Sequence, residues 1–171
     1  LSKKNDDEIY SITKEIIEDV KNNKDLALIK YCNKFDKADF SEREELLVSK
    51  KEIDLACKNI KPEVYEALKI AYKRIFAYHK KQLPKGFLFK DKEGCKLGNY
   101  WRAIESVGVY APGGTASYPS SVLMSCVPAI VAQVRQIVLC VPANAGKLSD
   151  EILVAAKICG VEEIYKIGGA Q

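Results

Sequence analysis

The chain has 171 residues, 47% of them apolar and 29% charged, with a formal net charge of +4. That supplies a core for one domain, or for one and part of a second, and argues against disorder. Residues 1–106 hold 23 Lys and Arg against 19 Asp and Glu, and residues 107–171 hold four against four. This mixture of signs reads as a solvated surface and not as a nucleic-acid stripe.

The apolar spacing of Ile9, Ile12, Ile16 and Val20 predicts an amphipathic helix over Asp6 to Asn22, with acids in its first turn. A second helix is expected from Leu26 to Phe35, apolar at Leu28, Ile29, Cys32 and Phe35. Leu46 to Val48 reads as a short strand, and Ser49 is placed to cap a helix from Lys50 to about Asn59. Pro62 suits the first position of a helix reaching about Lys81, with Val64, Leu68, Ala71, Ile75 and Tyr78 as its buried stripe. Leu83 to Glu93 reads as a loop or irregular strand, followed by extended pieces at Lys96 to Arg102 and Ser106 to Tyr110.

From Val107 the pattern becomes strand, helix, strand, helix, strand. A hydrophobic helix is expected over Ser120 to Ala132, kinked by Pro128. Ile137 to Val141 has the unbroken apolar run of a strand buried on both faces. Ser149 caps the next helix, which runs to Cys159 and stops at Gly160 before a strand at Ile164 to Ile167. The fold class is therefore α/β: a helical amino-terminal region followed by the start of a Rossmann-like parallel sheet. The change from charge-rich to apolar sequence divides residues 1–105, as part of a first α/β domain, from residues 106–171, an incomplete nucleotide-binding domain.

The six cysteines include no close pairs and lie mostly in apolar runs, as buried free thiols in a reducing cytoplasm do. One histidine and no Cys-x-x-Cys make a closed zinc site within this chain improbable. His79, at a Lys-rich helix end, reads as a helix C-terminal residue. Leu1 to Asn5 leads into a charged helix and not a secretory leader, and no apolar run reaches the ~20 residues that span a bilayer. The opening on Leu1, and the close on Gly-Gly-Ala-Gln straight after a strand, lead us to expect a piece of a longer chain.

The stretch with chemical promise begins at Val107. A strand runs into Pro112-Gly113-Gly114 and then a helix, the setting in which α/β proteins bind ligands beyond strand carboxyl ends. It is neither a Gly-x-Gly-x-x-Gly fingerprint nor a phosphate loop, and a glycine pair here is commonly only a tight turn. Tyr110 ends the strand at the ligand-facing edge, where its phenol suits stacking on, or bonding to, a ring or ribose. An ordinary strand tyrosine is the plainer alternative. Ser120 and Ser121 suit capping the helix more than ligand binding.

Taken as a string, residues 107–124 (Val-Gly-Val-Tyr-Ala-Pro-Gly-Gly-Thr-Ala-Ser-Tyr-Pro-Ser-Ser-Val-Leu-Met) resemble histidinol dehydrogenase. Pro128-Ala129, Gly160 to Tyr165 and the closing Gly168-Gly169-Ala170-Gln171 continue the likeness, and Phe35-Asp36-Lys37 and Tyr78-His79 stand in the expected order. Ala103 and Ala111 depart from the residues many members carry, without touching chemistry. The resemblance implies oxidation of L-histidinol to L-histidine through an aldehyde, with two hydride transfers to NAD, zinc orienting the substrate, and a base moving protons. It implies that Tyr110 and Gln171 contact NAD, and that the protein is a cytoplasmic homodimer. The family's zinc ligands and its Glu-His proton-transfer pair have no counterpart here, so this chain is expected to hold part of NAD without oxidising anything alone. A non-catalytic remnant, a binding or scaffolding module, and a related semialdehyde dehydrogenase remain open. An unpaired edge is expected beside Ile164 to Ile167, so that residues 1–171 alone should aggregate or bind NAD poorly.

Overall fold

The computed structural model describes residues 3–113 and 117–171, the side chains of residues 3–6 excepted. Four helices come first: α1 (Lys3–Asn23), α2 (Asp25–Asp36), α3 (Lys50–Asn59) and α4 (Pro62–Lys80), with a 3₁₀ turn at Arg43–Leu46. An antiparallel hairpin follows, β1 (Phe87–Lys90) with β2 (Lys96–Asn99). The chain then alternates through β3 (Ser106–Tyr110), α5 (Pro119–Val131), β4 (Gln136–Cys140), α6 (Asp150–Ile158) and β5 (Glu163–Tyr165). The last three strands form a parallel sheet in the order β3-β4-β5, with Val109 opposite Leu139 and Leu139 opposite Ile164.

Local chemistry sets most of these boundaries. Ser49 caps α3 by accepting from the Glu52 N–H, while the Glu52 carboxylate accepts from the Ser49 N–H at 2.8 Å. These reciprocal bonds satisfy two orphan donors at once. Pro62 opens α4, where its missing N–H costs nothing. Ser149 accepts from the Ile152 N–H, and Gly160 leaves α6 with φ +70°.

Val109, Leu139 and Ile164 point into one core with Val122, Val127, Ile152, Val154 and Ala156 of α5 and α6. Helices α3 and α4 pack onto α6 and α5, and their Ile53, Ala56 and Leu68 join the same core across the 105/106 boundary. The other sheet face carries Gly108, Tyr110, Val138 and Cys140, none of them fully buried. The β4 strand is thus sealed on one face only, contrary to the two-sided burial that its apolar run suggested. An uninterrupted run reports apolar character, not what lies above it.

Other expectations change as well. Leu46 to Val48 is no free-standing strand: it begins as the 3₁₀ turn and then bridges antiparallel to Tyr165 through Leu47. The Val48 N–H donates to the Ile164 carbonyl at 2.8 Å and the Lys166 N–H to the Leu46 carbonyl at 2.7 Å. The edge of β5 expected to lie open is therefore covered by the amino-terminal region. Leu83 to Glu93 contributes half of a hairpin whose eight strand residues are all exposed. Of the α1 stripe only Ile16 is buried, and Ile9 is 61% exposed. On α4, Tyr78 lies outside the buried face. Cys32, Cys126 and Cys159 are buried and Cys140 half-buried, but Cys57 and Cys95 are exposed; all six are free thiols.

Lys166 follows β5 and is 7% exposed, yet carries a charge. Its Nζ lies 2.7 Å from Oε1 of Glu52, whose other oxygen accepts from the Ser49 N–H and hydroxyl. One carboxylate thus caps α3 and neutralises a buried ammonium. Burial pushes the Glu52 carboxyl up, but Lys166 and Ser49 outweigh it and hold the group below its ordinary value. The stabilisation is fully present above pH 4.5, the ordinary value, and is lost as pH falls through the lower folded-state value.

Because Glu52 is 37% exposed, Glu52→Gln is expected to cost about 2 kcal/mol, less than stripping a fully buried pair of one partner. Lys166→Met should cost about 1 kcal/mol or less, since an apolar stem replaces the buried charge. Urea midpoints of the two variants test the ordering, and equal losses would contradict it.

Candidate functional site

The three parallel strands end side by side, and their exits interlock around Pro142. After β3, a Cβ on Gly113 would stand 2.6 Å from the Pro142 carbonyl oxygen and 2.8 Å from Val141 Cγ1. After β5, a Cβ on Gly168 would stand 2.2 Å from Pro142 Cβ. Both glycines are required by close approach to Pro142, Gly168 to its ring and Gly113 to its carbonyl oxygen. Gly114, named with Gly113 from the sequence, lies outside the described residues.

Beside this interlock, at the carboxyl ends of the strands, lies a hollow of ≈ 250 Å³ that Gly168 borders. The sheet contributes Gly108, Tyr110 and Cys140 to it, and the turn after β5 contributes Gly168, Gly169 and Gln171. Tyr110 and Gln171, far apart in the chain, therefore line the same space. The Tyr110 side chain stands on the uncovered sheet face and the residue is 53% exposed. The Gln171 amide is buried, and neither its oxygen nor its nitrogen has a hydrogen-bond partner among the described residues. Gly169, at φ +68°, leaves room for that amide: a Cβ would lie 2.6 Å from Gln171 Oε1.

Behind the hollow lies Cys32 of α2, fully buried, its thiol donating to the Lys166 carbonyl at 3.5 Å. Burial and the nearby Asp36 charge push the Cys32 thiol up to about 11, against a smaller opposing effect of the Gln171 amide beside it. Asp36, the last residue of α2, has a buried and unpartnered Oδ2, and burial pushes its carboxyl up. Sequence reading marked Asp36 only as a point of resemblance. An acid at a helix C-terminus, where the dipole disfavours negative charge, was the signal available.

Ser120 and Ser121 do not cap α5. The helix starts at Pro119, with Tyr118 at the cap position and no side-chain capping bond, so both serines sit inside the first turn. Pro128 leaves α5 without the bond to the Met124 carbonyl, yet the helix continues to Val131. His79 lies in the last turn of α4, its Nδ1 2.6 Å from the Gln82 Oε1. No group of three or more His, Cys, Asp or Glu among the described residues is arranged to hold a metal ion. A larger cleft of ≈ 940 Å³ runs between Trp101–Ser106 and Arg135, at the amino ends of the strands. Ligands of parallel sheets bind at the opposite end, so the smaller hollow is the stronger candidate.

Comparison with known proteins places these features in a family. Residues 1–171 match the family described as histidinol dehydrogenase. The histidinol dehydrogenase of Agrobacterium fabrum is 50% identical over 165 residues, covering 96% of this chain and 38% of that protein. That of Rhodospirillum rubrum is 44% identical over 164 residues, with the same coverage. A crystal structure of histidinol dehydrogenase from Elizabethkingia anophelis superimposes with a TM-score of 0.88 at 36% identity, covering 95% of this chain and 37% of that one. The chain thus spans under two-fifths of the length of these relatives, matching their amino-terminal portion.

The Pro142 interlock yields a graded expectation. Gly113→Ala and Gly168→Ala should each cost about 1–3 kcal/mol, as overpacking against backbone does. Gly108→Ala should leave stability unchanged, because a Cβ there meets nothing within 4 Å among the described residues. Denaturant titration checks the order, and a stable Gly168→Ala protein would contradict the interlock.

Proposed function

The chain belongs to the histidinol dehydrogenase family, and on that premise we propose that the hollow between Tyr110 and Gln171 receives part of an NAD molecule. The observation that carries this reading is the convergence of these two residues on one space at the strand carboxyl ends. Family resemblance singled them out from sequence alone, without knowledge of their distance.

The residues fit such a ligand. The Tyr110 ring offers a face to a flat heterocycle and a hydroxyl to a ribose. Gln171 brings an amide with unused donor and acceptor capacity, which suits an amide or hydroxyl partner. Gly108 opens the floor of the site, since a Cβ there would meet nothing within 4 Å among the described residues. NAD, once bound, accepts hydride; the role of this chain is to seat and orient it.

Within the whole protein the reading is an oxidoreductase of histidine biosynthesis, oxidising L-histidinol to L-histidine in two NAD-dependent steps and working as a cytoplasmic homodimer. Zinc does not fit the described residues, which offer no ligand cluster. No step of metal or base chemistry is therefore assigned to them. We assign residues 106–171 to the nucleotide-binding domain and residues 1–105 to the domain that buttresses it.

Gly108→Val gives a clean test, because the added atoms project into the hollow and not into the core. In the protein expressed from its own gene, this variant should raise the NAD dissociation constant about tenfold or more, with an unchanged melting temperature. Tyr110→Ala should weaken NAD by about 5- to 30-fold, the loss of one stacking platform. Undiminished NAD affinity in both variants would move the nucleotide away from this hollow.

A further inference from the structure

The turn that carries Gln171 is seated on α2. Ala170 packs against Ile16, Ala27 and Tyr31, and the Lys166 carbonyl accepts from the Cys32 thiol. The backbone carbonyl of Asp36 accepts from the Ala145 N–H at 2.9 Å, which ties the end of α2 to the loop after β4. Ala27, Tyr31, Cys32 and Asp36 thus form one inner face of the helix, with the segment from Lys166 to Gln171 laid along it. Among the described residues, three buried polar atoms here have no partner: Asp36 Oδ2, Gln171 Nε2 and Gln171 Oε1. The Gln171 amide lies beside the Cys32 thiol, and the Asp36 charge, one helical turn further along α2, acts on the same thiol.

Leaving a buried polar atom without a hydrogen bond costs about 1–3 kcal/mol, so such atoms on two residues that both act on one thiol are reason for a shared contact. Their chemistry is complementary. A carboxylate only accepts, and the Gln171 amide has Nε2–H donors on one side and Oε1 on the other. A link from Nε2–H to Asp36 through one internal water satisfies both and decides which way the amide is turned. Nothing else on α2 at this point is able to make that choice, because the Cys32 thiol is a weak partner for either end of the amide.

We propose that Asp36 is a positioning residue: its carboxylate, at the end of α2 beside Cys32, holds the Gln171 amide and the Gly168–Gln171 turn in the orientation that meets the nucleotide. The proposal rests on the assignment of NAD to the hollow. Asp36 itself touches no ligand.

The test is a double-mutant cycle on NAD affinity, measured by equilibrium titration in the protein expressed from its own gene. Asp36→Ala and Asp36→Leu, the latter keeping the volume and removing the acceptor, should each raise the dissociation constant about 5- to 10-fold. Asp36→Asn retains an acceptor oxygen and should restore affinity to within about threefold of the parent. Added to Gln171→Ala, Asp36→Leu should change affinity no further, because the two residues act through one contact. Cys32→Ala is the control for packing alone, lowering the urea midpoint without a matching change in NAD affinity. Effects that multiply in the double variant, or an Asp36→Leu protein with parental affinity, would overturn the positioning role while the hollow stands. If Tyr110→Ala and Gln171→Ala both bind NAD like the parent, the assignment of NAD to the hollow fails, and the role of Asp36 fails with it.

Discussion

Two backbone hydrogen bonds, from Val48 to Ile164 and from Lys166 to Leu46, close the β5 edge of the sheet against the amino-terminal region, over the apolar core that both share. A parallel sheet of three strands has two edges, and the one at β5 is met by residues from more than a hundred positions earlier. That closure sets the path of everything amino-terminal to it. The 3₁₀ turn leads in from α2, and α3 leaves directly over α6. The buried ammonium of Lys166 follows from the same closure. A lysine at the end of a covered strand is largely withdrawn from water, and a carboxylate compensates its charge. Glu52 does so because the α3 capping box already fixes its position. A local device for ending a helix thereby becomes a tertiary contact.

The hollow is a consequence of how the strands finish. Pro142 occupies the middle exit, and the exits on either side fit around it only because Gly113 and Gly168 have no side chains. Their backbones are drawn inward, leaving Tyr110 and the Gly168–Gln171 turn facing each other across open space. One sheet face is sealed by α5 and α6, and the other presents Gly108, Tyr110 and Cys140 to the hollow. The site therefore owes its shape to absent side chains as much as to present ones. Helix α2 completes it from behind, through Cys32 and Asp36.

Much of the local structure was legible because its causes are local. Ser49, Pro62, Ser149 and Gly160 mark helix ends through bonds that span at most a few residues, and all four act where the sequence pointed. The strand pattern after Val107 was equally plain, since β-branched and apolar runs separated by capped helices allow few other arrangements. The α1 stripe misled for a different reason. Amphipathic spacing shows which face is able to be buried, and only Ile16 and the turns near it meet a partner. Ser120 and Ser121 misled because α5 starts at Pro119, two residues before the start that capping by Ser120 needed and three before that for Ser121.

Sequence by itself determined the fold class, the order of the helices and of the parallel strands, and the two residues, Tyr110 and Gln171, singled out by resemblance. Each of those rests on neighbouring residues or on a linear string that can be matched. Tertiary structure alone decided that those two residues share one hollow, that Leu46 to Val48 covers β5, and that Lys166 must be buried against Glu52. It also decided that Cys32 and Asp36 stand behind Gln171. These facts depend on atoms brought together from distant parts of the chain by the packing of a common core, and no periodicity or spacing encodes such a distance.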